Sequence, residues 1–429
     1  MLVIRNVTLI DGTGAPPIEN ARIAIEDGRI ASVGAAGGPE ADGVEVVDGA
    51  GLWAVPGLID THVHLELVSR DALPVWLALG VTTIRDLGGA LDFLAESRRM
   101  LNDGLAGPRL LFTGPMIDGE PPTWPALVRP TPDAGAAIAV IDEYMAADAD
   151  AIKLYTTLPL ESLRACIQRV DRRVPVTGHL GRTKASEAME AGINGLEHAL
   201  LTPYNDFAPE ELRTKPDELM MTPGFWPKLY EGWMRADFDS DESKRWMQLL
   251  ADRDVSLCPT LTVVPGAGGE PTEEELRRVP QVMERWLEAT RQRAEQPTPP
   301  QFQERAKSVR QKLQELVRRT HEAGGRVVAG TDTGAVRSLV PGYALHSEIS
   351  MLAEAGLSNM DALRAATGRA AEALWRDDLG TIEAGKRADV LLVQGDPLED
   401  IGALRRIDRV IKDGVVHTPA ALLGDGESK

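Results

Sequence analysis

The run Val55-Pro56-Gly57-Leu58-Ile59-Asp60-Thr61-His62-Val63-His64 places two histidines at i and i+2 at the end of an apolar stretch. On a β-strand such a pair projects to one side, so both imidazoles can reach the same metal ion. A bare HxH triplet also occurs where histidines only pack or bond to backbone, and alone it decides little. Four further apolar runs end in groups of related chemistry. These are Lys153 in Ile152-Lys153-Leu154-Tyr155, His179 after Gly178, His198 after Glu197, and Asp332 in Gly330-Thr331-Asp332. Lysine and aspartate are seldom buried unless paired or coordinating, so packing accounts poorly for their recurrence at such positions. Four of the chain's 7 histidines belong to this set.

Bringing these groups together requires a fold that gathers many strand ends. Apolar strand-like runs occur at Gly57–Val63, Thr82–Arg85, Arg109–Thr113, Ile152–Tyr155, Pro175–Thr177, Gly195–Glu197, Ser256–Leu261 and Val327–Ala329. Between many of them, as at Leu91–Leu101, Ala137–Met145, Leu160–Val170 and Ala185–Ala191, apolar residues recur at three and four, the helical period. Eight strands alternating with helices predict an α/β fold, a distorted (β/α)8 TIM barrel over 56–379, whose site forms at the C-terminal strand ends. Insertions at about 202–240 and 266–320 interrupt the repeat after the sixth and seventh strands, over that face. Short strands also fill both ends of the chain: Val3–Leu9, Ala21–Glu26 and Ile30–Val33, then Ala388–Val393 and Val410–Lys412. Glu26-Asp27-Gly28 and Asp413-Gly414 read as turns. Residues 1–55 plus 380–429 are therefore expected to form a small β-sandwich.

Composition narrows the partners. The chain has 429 residues, 43% hydrophobic and 26% charged, which excludes a disordered or fibrous protein. Asp plus Glu outnumber Lys plus Arg by 65 to 46, a net charge of −19 that disfavours nucleic acid and anionic membranes. Two distant cysteines, Cys166 and Cys258, exclude a disulfide framework. With no visible targeting segment or long apolar run, a cytoplasmic protein is expected, acting on a small molecule or peptide and able to form a homo-oligomer.

PGLIDTHVH, IKLY, GHL, GLEHA, CPTL, AGTDTG, LHSEI, ALRAATGRAA, GTIEAGKRADVLLV and DPLEDI occur in one order along nearly the whole chain. In this the sequence resembles the amidohydrolase superfamily, of the binuclear-metal type with a carboxylated lysine. The subgroup closest in pattern contains Xaa-Pro dipeptidases, N-acyl-amino-acid hydrolases and imidazolonepropionase-like proteins. The resemblance implies two divalent, zinc-like ions. His62, His64 and Asp332 would hold one, His179 and His198 the other, with Lys153 bridging both as a CO2-derived carbamate. It further implies hydrolysis of an amide-type C–N bond in a peptide, N-acyl amino acid, modified peptide or cyclic amide. The ions would deprotonate a bridging water, and Asp332 would carry its proton to the leaving nitrogen. Lactone, ester or amidine hydrolysis on the same site is an alternative. A non-catalytic scaffold is another, although scaffold members tend to lose ligands and all six positions are filled here. Mononuclear deaminases of the superfamily place Glu three residues after the fifth-strand His; Arg182 stands there, and Lys153 is present.

Tyr155 shares its side of the strand with Lys153 and is a candidate donor to substrate, with packing as the alternative. His346 in LHSEI is a candidate substrate contact or an ordinary capping histidine. His321, His417 and Cys258 read as structural, as does Arg85-Asp86. Eight aromatic residues fall between Tyr204 and Trp246, either a lid over a bulky-substrate pocket or a small core of the insertion's own. Neither Leu87-Gly88-Gly89 nor Ala267-Gly268-Gly269 forms a phosphate-binding fingerprint.

Overall fold

A computed structural model of the chain describes residues 1–35, 43–215, 218, 222–264, 288, 292, 300–336 and 339–424. The Gly/Pro run predicted from Gly266, with Ala267-Gly268-Gly269, lies outside the described residues. The charged sequence at the far end of that insertion forms a helix, Pro300–Glu322. The N-terminal strands are β1 (Leu2–Leu9), β2 (Ile18–Glu26), β3 (Arg29–Ala35), β4 (Glu45–Asp48) and β5 (Leu52–Pro56). Next come β6 (Leu58–Val63), β7 (Val81–Asp86), β8 (Arg109–Phe112), β9 (Met116–Asp118) and β10 (Val128–Pro130). Beyond them lie β11 (Ile152–Leu154), β12 (Val176–Gly178), β13 (Gly195–Glu197), β14 (Ser256–Cys258) and β15 (Arg326–Val327). The chain ends in β16 (Val390–Gln394), β17 (Ile407–Lys412) and β18 (Val415–His417).

The middle strands form two parallel sheets, β6-β7-β8 and β10-β9-β11-β12-β13-β14-β15. Their residues are buried almost throughout, as strands covered on both faces must be. Helices Leu91–Asn102, Ala134–Ala146, Leu160–Val170 and Ala185–Ala191 stand where the periodicity predicts them. Backbone bonds link β6 to the segment after β15: Thr61 N to Ala329 O at 3.1 Å, Asp332 N to His62 O at 2.8 Å and His64 N to Thr333 O at 2.8 Å. On the other side, Asp150 N donates to Phe112 O at 2.9 Å. Two predicted strands are shorter than expected. The seventh stops at Cys258 because Thr260 turns left-handed (φ 47°) into a single 3-10 turn, Leu261–Val263. The eighth is reduced to the two residues of β15. β9 and β10 were not predicted, being three-residue strands inside a Gly/Pro-rich stretch too short to show a period.

Both chain ends share one eight-stranded sheet of order β18-β17-β16-β5-β1-β2-β3, with β4 beside β1. Its two tight hairpins use Asp27-Gly28 and Asp413-Gly414, all four residues at positive φ, the pairing a two-residue turn demands. Arg109, the first residue of β8, ties this sheet to the parallel layer. It reaches Asp389 at 2.7 Å and Asp413 at 2.6 Å, and Arg387 meets Asp413 at 2.9 Å. Burial alone would push Asp413 upward, but Arg109 and Lys412 hold it down at about 2. A carboxylate lowered from an unfolded value of about 3.9 stabilises the fold fully above that value and ceases to as pH falls through about 2. Arg109→Met is therefore expected to cost on the order of 2 kcal/mol at pH 7. The difference from wild type should shrink as pH approaches 2, read by denaturant unfolding at several pH values.

Candidate active site

The polar groups singled out in the sequence meet at the C-terminal ends of the parallel strands. His62 stands on β6 and His64 just beyond it; Lys153 lies within β11, and His179 and His198 directly follow β12 and β13. Asp332 comes from the segment bonded to β6. All six line one cavity of about 690 Å³, and all are buried. Ring centroids lie 4.7 Å apart for His62 and His198, 4.5 Å for His179 and His198, and 5.4 Å for His62 and His64. Ligand atoms of His62, His198 and Asp332 fall within 4.8 Å of one another, a spacing that suits a metal ion.

The backbone bends to achieve this. His198 (φ 65°) and Asp332 (φ 61°) are left-handed, a conformation that costs non-glycine residues energy. Gly330 permits the close approach of β6: a Cβ there would sit 2.6 Å from Cys258 Sγ and 2.9 Å from His62 Cβ.

A buried carboxylate, Glu197, orients the first histidine. Its Oε2 lies 2.8 Å from His62 Nδ1, and its Oε1 accepts from Arg85 at 2.8 Å and Thr177 Oγ1 at 2.6 Å. With Nδ1–H donating to Glu197, the Nε2 lone pair of His62 is turned towards Asp332 Oδ1, 3.3 Å away. His64 Nε2 approaches the same oxygen at 3.1 Å. Among the described residues, Asp332 Oδ1, Lys153 Nζ, His64 Nδ1 and His179 Nε2 are buried without a hydrogen-bond partner. Burial, with His198 and Lys153 alongside, keeps His179 well below the usual histidine range, and burial brings His198 down to about 3. Both imidazoles are therefore neutral and able to donate a lone pair. Burial works against the Asp332 anion, yet His62, with His64 also at hydrogen-bond distance, holds it well below the usual carboxylate range.

Tyr155 lines the cavity with its ring edge-on to His179 at 4.8 Å. His346 does not join them: it is buried on the helix Tyr343–Glu354, where Nε2 donates to the Leu79 carbonyl at 2.9 Å. His321 faces Asp361 at 3.6 Å, His417 ends β18, and both cysteines are buried free thiols. Arg85 has the structural role expected of it, as the partner of Glu197. The aromatic insertion divides in two. Tyr204, Phe207, Trp233, Phe238 and Trp246 pack ring to ring, with centroids 5.0 to 6.5 Å apart, whereas Trp226 and Tyr230 line the cavity.

Three buried supports were passed over in the sequence: Glu197, Thr260 and Glu348. Thr260 Oγ1 sits 2.9 Å from His198 Nδ1, and Glu348 accepts from the amides of Leu261 and Thr262, both at 2.9 Å. Glu197 carried a signal, an acid at the end of an apolar run; the other two become visible only in three dimensions.

A profile of the amidohydrolase family matches residues 53–416. The chain belongs to the amidohydrolase family. This amidohydrolase aligns with the solved structure of bottromycin amidohydrolase at a TM-score of 0.76 and 23% identity, over 99% of this chain and 90% of that one. It aligns with a Xaa-Pro dipeptidase bearing methionine in its active site at 0.70 and 21%, over 97% and 99%. At such identities the likeness is one of fold. Over 92 residues the amidohydrolase is 41% identical to urease subunit alpha 1 of Streptomyces avermitilis, a stretch spanning 19% of this chain and only 16% of that relative. Among the described residues no helix is long and apolar enough to cross a membrane.

Proposed function

We propose that this amidohydrolase is a binuclear metal-dependent hydrolase of an amide-type C–N bond in a peptide, N-acyl amino acid, modified peptide or cyclic amide. The reading includes a (β/α)8 barrel over 56–379 that closes between β6 and the segment after β15. Residues 1–55 plus 380–429 supply a small β-sandwich. One observation carries it: lone-pair atoms of four histidines, Lys153 and Asp332 converge, buried, on one cavity floor, and Lys153 Nζ, His64 Nδ1 and His179 Nε2 have no hydrogen-bond partner. Orphaned buried polar atoms are costly unless something satisfies them, and nitrogen and carboxylate donors suit zinc-like cations.

His62, His64 and Asp332 would hold one ion, His179 and His198 the other, with Lys153 as a bridging carbamate. When bound, such ions polarise the scissile carbonyl and lower the pKa of water. The chain prepares for them. Burial pushes the Lys153 amine down to about 8, against the pull of Glu197 and Asp332. That favours the neutral amine, the form that adds CO2. Glu197 fixes the tautomer of His62. Asp332, through the carboxylate oxygen not facing the two histidines, would take the attacking water's proton and deliver it to the leaving nitrogen. Burial keeps the Tyr155 hydroxyl protonated, available to donate to the carbonyl oxygen as charge develops.

Mass-spectrometric metal analysis of purified protein is expected to find about two divalent ions per chain. The loaded protein should hydrolyse at least one member of a panel of dipeptides, N-acyl amino acids and cyclic imides, with lactones as the contrasting class. Less than about one equivalent of metal, with no activity after adding zinc or manganese in bicarbonate, would move the protein to the non-catalytic scaffolds of the family.

A further inference from the structure

We propose that the cavity selects substrates carrying an aryl or similarly bulky apolar group beside the scissile bond, held between Trp124 and Trp226. This rests on the amide-hydrolase reading above and narrows it.

The cavity, about 690 Å³, is of a size that encloses a ligand of drug-like dimensions. The histidines, Lys153 and Asp332 form its floor, while Leu127, Leu200, Leu201 and Val263 supply apolar wall and Thr123 and Tyr230 add hydroxyl groups. Trp124 and Trp226 complete the lining and remain 38% and 42% exposed, whereas the neighbouring Trp233 and Trp246 are buried. Solvent-facing indoles on a concave apolar surface leave area to be covered by a ligand.

The backbone that carries both rings is held in place before anything binds. Trp226 and Tyr230 stand one turn apart on the helix Phe225–Met234, ring centroids 6.5 Å apart. That helix is anchored by Trp233, whose indole N–H donates to the Leu200 carbonyl at 2.8 Å. Trp124 belongs to a loop organised by Asp118, which accepts from Thr123 N at 2.8 Å and from Thr157 N and Oγ1, also at 2.8 Å. Preorganised aromatic surfaces grip apolar groups with little loss of entropy.

The test uses full-length, metal-loaded protein and two neutral amides that differ only in the apolar group, N-methyl-3-phenylpropanamide and N-methylpropanamide. Calorimetric titration is expected to show the first binding at least about 10-fold more tightly than the second. Trp124→Ala and Trp226→Ala should each erase most of that preference, with metal content and circular dichroism unchanged, while Trp226→Phe should keep it. Equal binding of the two, or tighter binding of N-methylpropanamide, overturns the proposal. So does a preference that survives both alanine variants. Hydrolysis of the same compounds is scored separately. The preference without turnover by metal-replete protein refutes the amide-hydrolase reading and supports the aryl clamp; turnover without the preference does the reverse.

Discussion

Asp332→Asn is expected to leave the fold and the cavity in place while lowering turnover about 10³-fold or more on whichever substrate the enzyme accepts. Asparagine fills the same volume, and the left-handed backbone at 332 (φ 61°) is one that asparagine tolerates well. What disappears is the carboxylate facing His62 and His64 and, with it, the group proposed to carry a proton from water to nitrogen. Circular dichroism and metal content separate loss of chemistry from loss of structure. A variant with near-normal kcat would remove Asp332 from proton transfer.

Lys153→Ala should act on the metal rather than on the proton. Lys153 Nζ is buried at the end of an apolar strand with no hydrogen-bond partner, a state no packing argument explains. Removing it as a bridging ligand is expected to weaken retention of at least one ion by about 10- to 100-fold, the scale seen when outer support of a metal site is lost. A short-chain carboxylate added to the variant should restore part of the occupancy by standing in for the carbamate. Metal content identical to wild type would rule out the bridging role.

Much of this site could be read from one dimension, and the reason is geometric. A parallel strand buried on both faces is a nearly pure apolar run, so a lysine, histidine or aspartate ending such a run stands out. Hence His62, His64, Lys153, His179, His198 and Asp332 could be named, and they meet in one cavity. Three-residue strands such as β9 and β10 carry no period to detect. Support across the fold was equally hidden: Arg85 and Glu197 are 112 residues apart, and Glu348 braces a turn 86 residues before it. His346 shows the opposite error, a histidine in a recognisable motif whose ring bonds to backbone away from the cavity. The aromatic insertion divides between the two readings: Trp226 and Tyr230 line the cavity, while Tyr204, Phe207, Trp233, Phe238 and Trp246 pack on one another.

The left-handed residues around the site give the enzyme a particular vulnerability to improvement. His198, Thr260 and Asp332 all occupy backbone that glycine would adopt without strain. A search for stabilising substitutions guided by backbone preference alone would include these three positions. Each success would strip out a residue of the proposed site: His198, the Thr260 hydroxyl that meets its ring, or Asp332. In this chain, sturdiness and chemistry compete for the same residues, so gains in robustness should be sought elsewhere, in the terminal sheet and the outer helices.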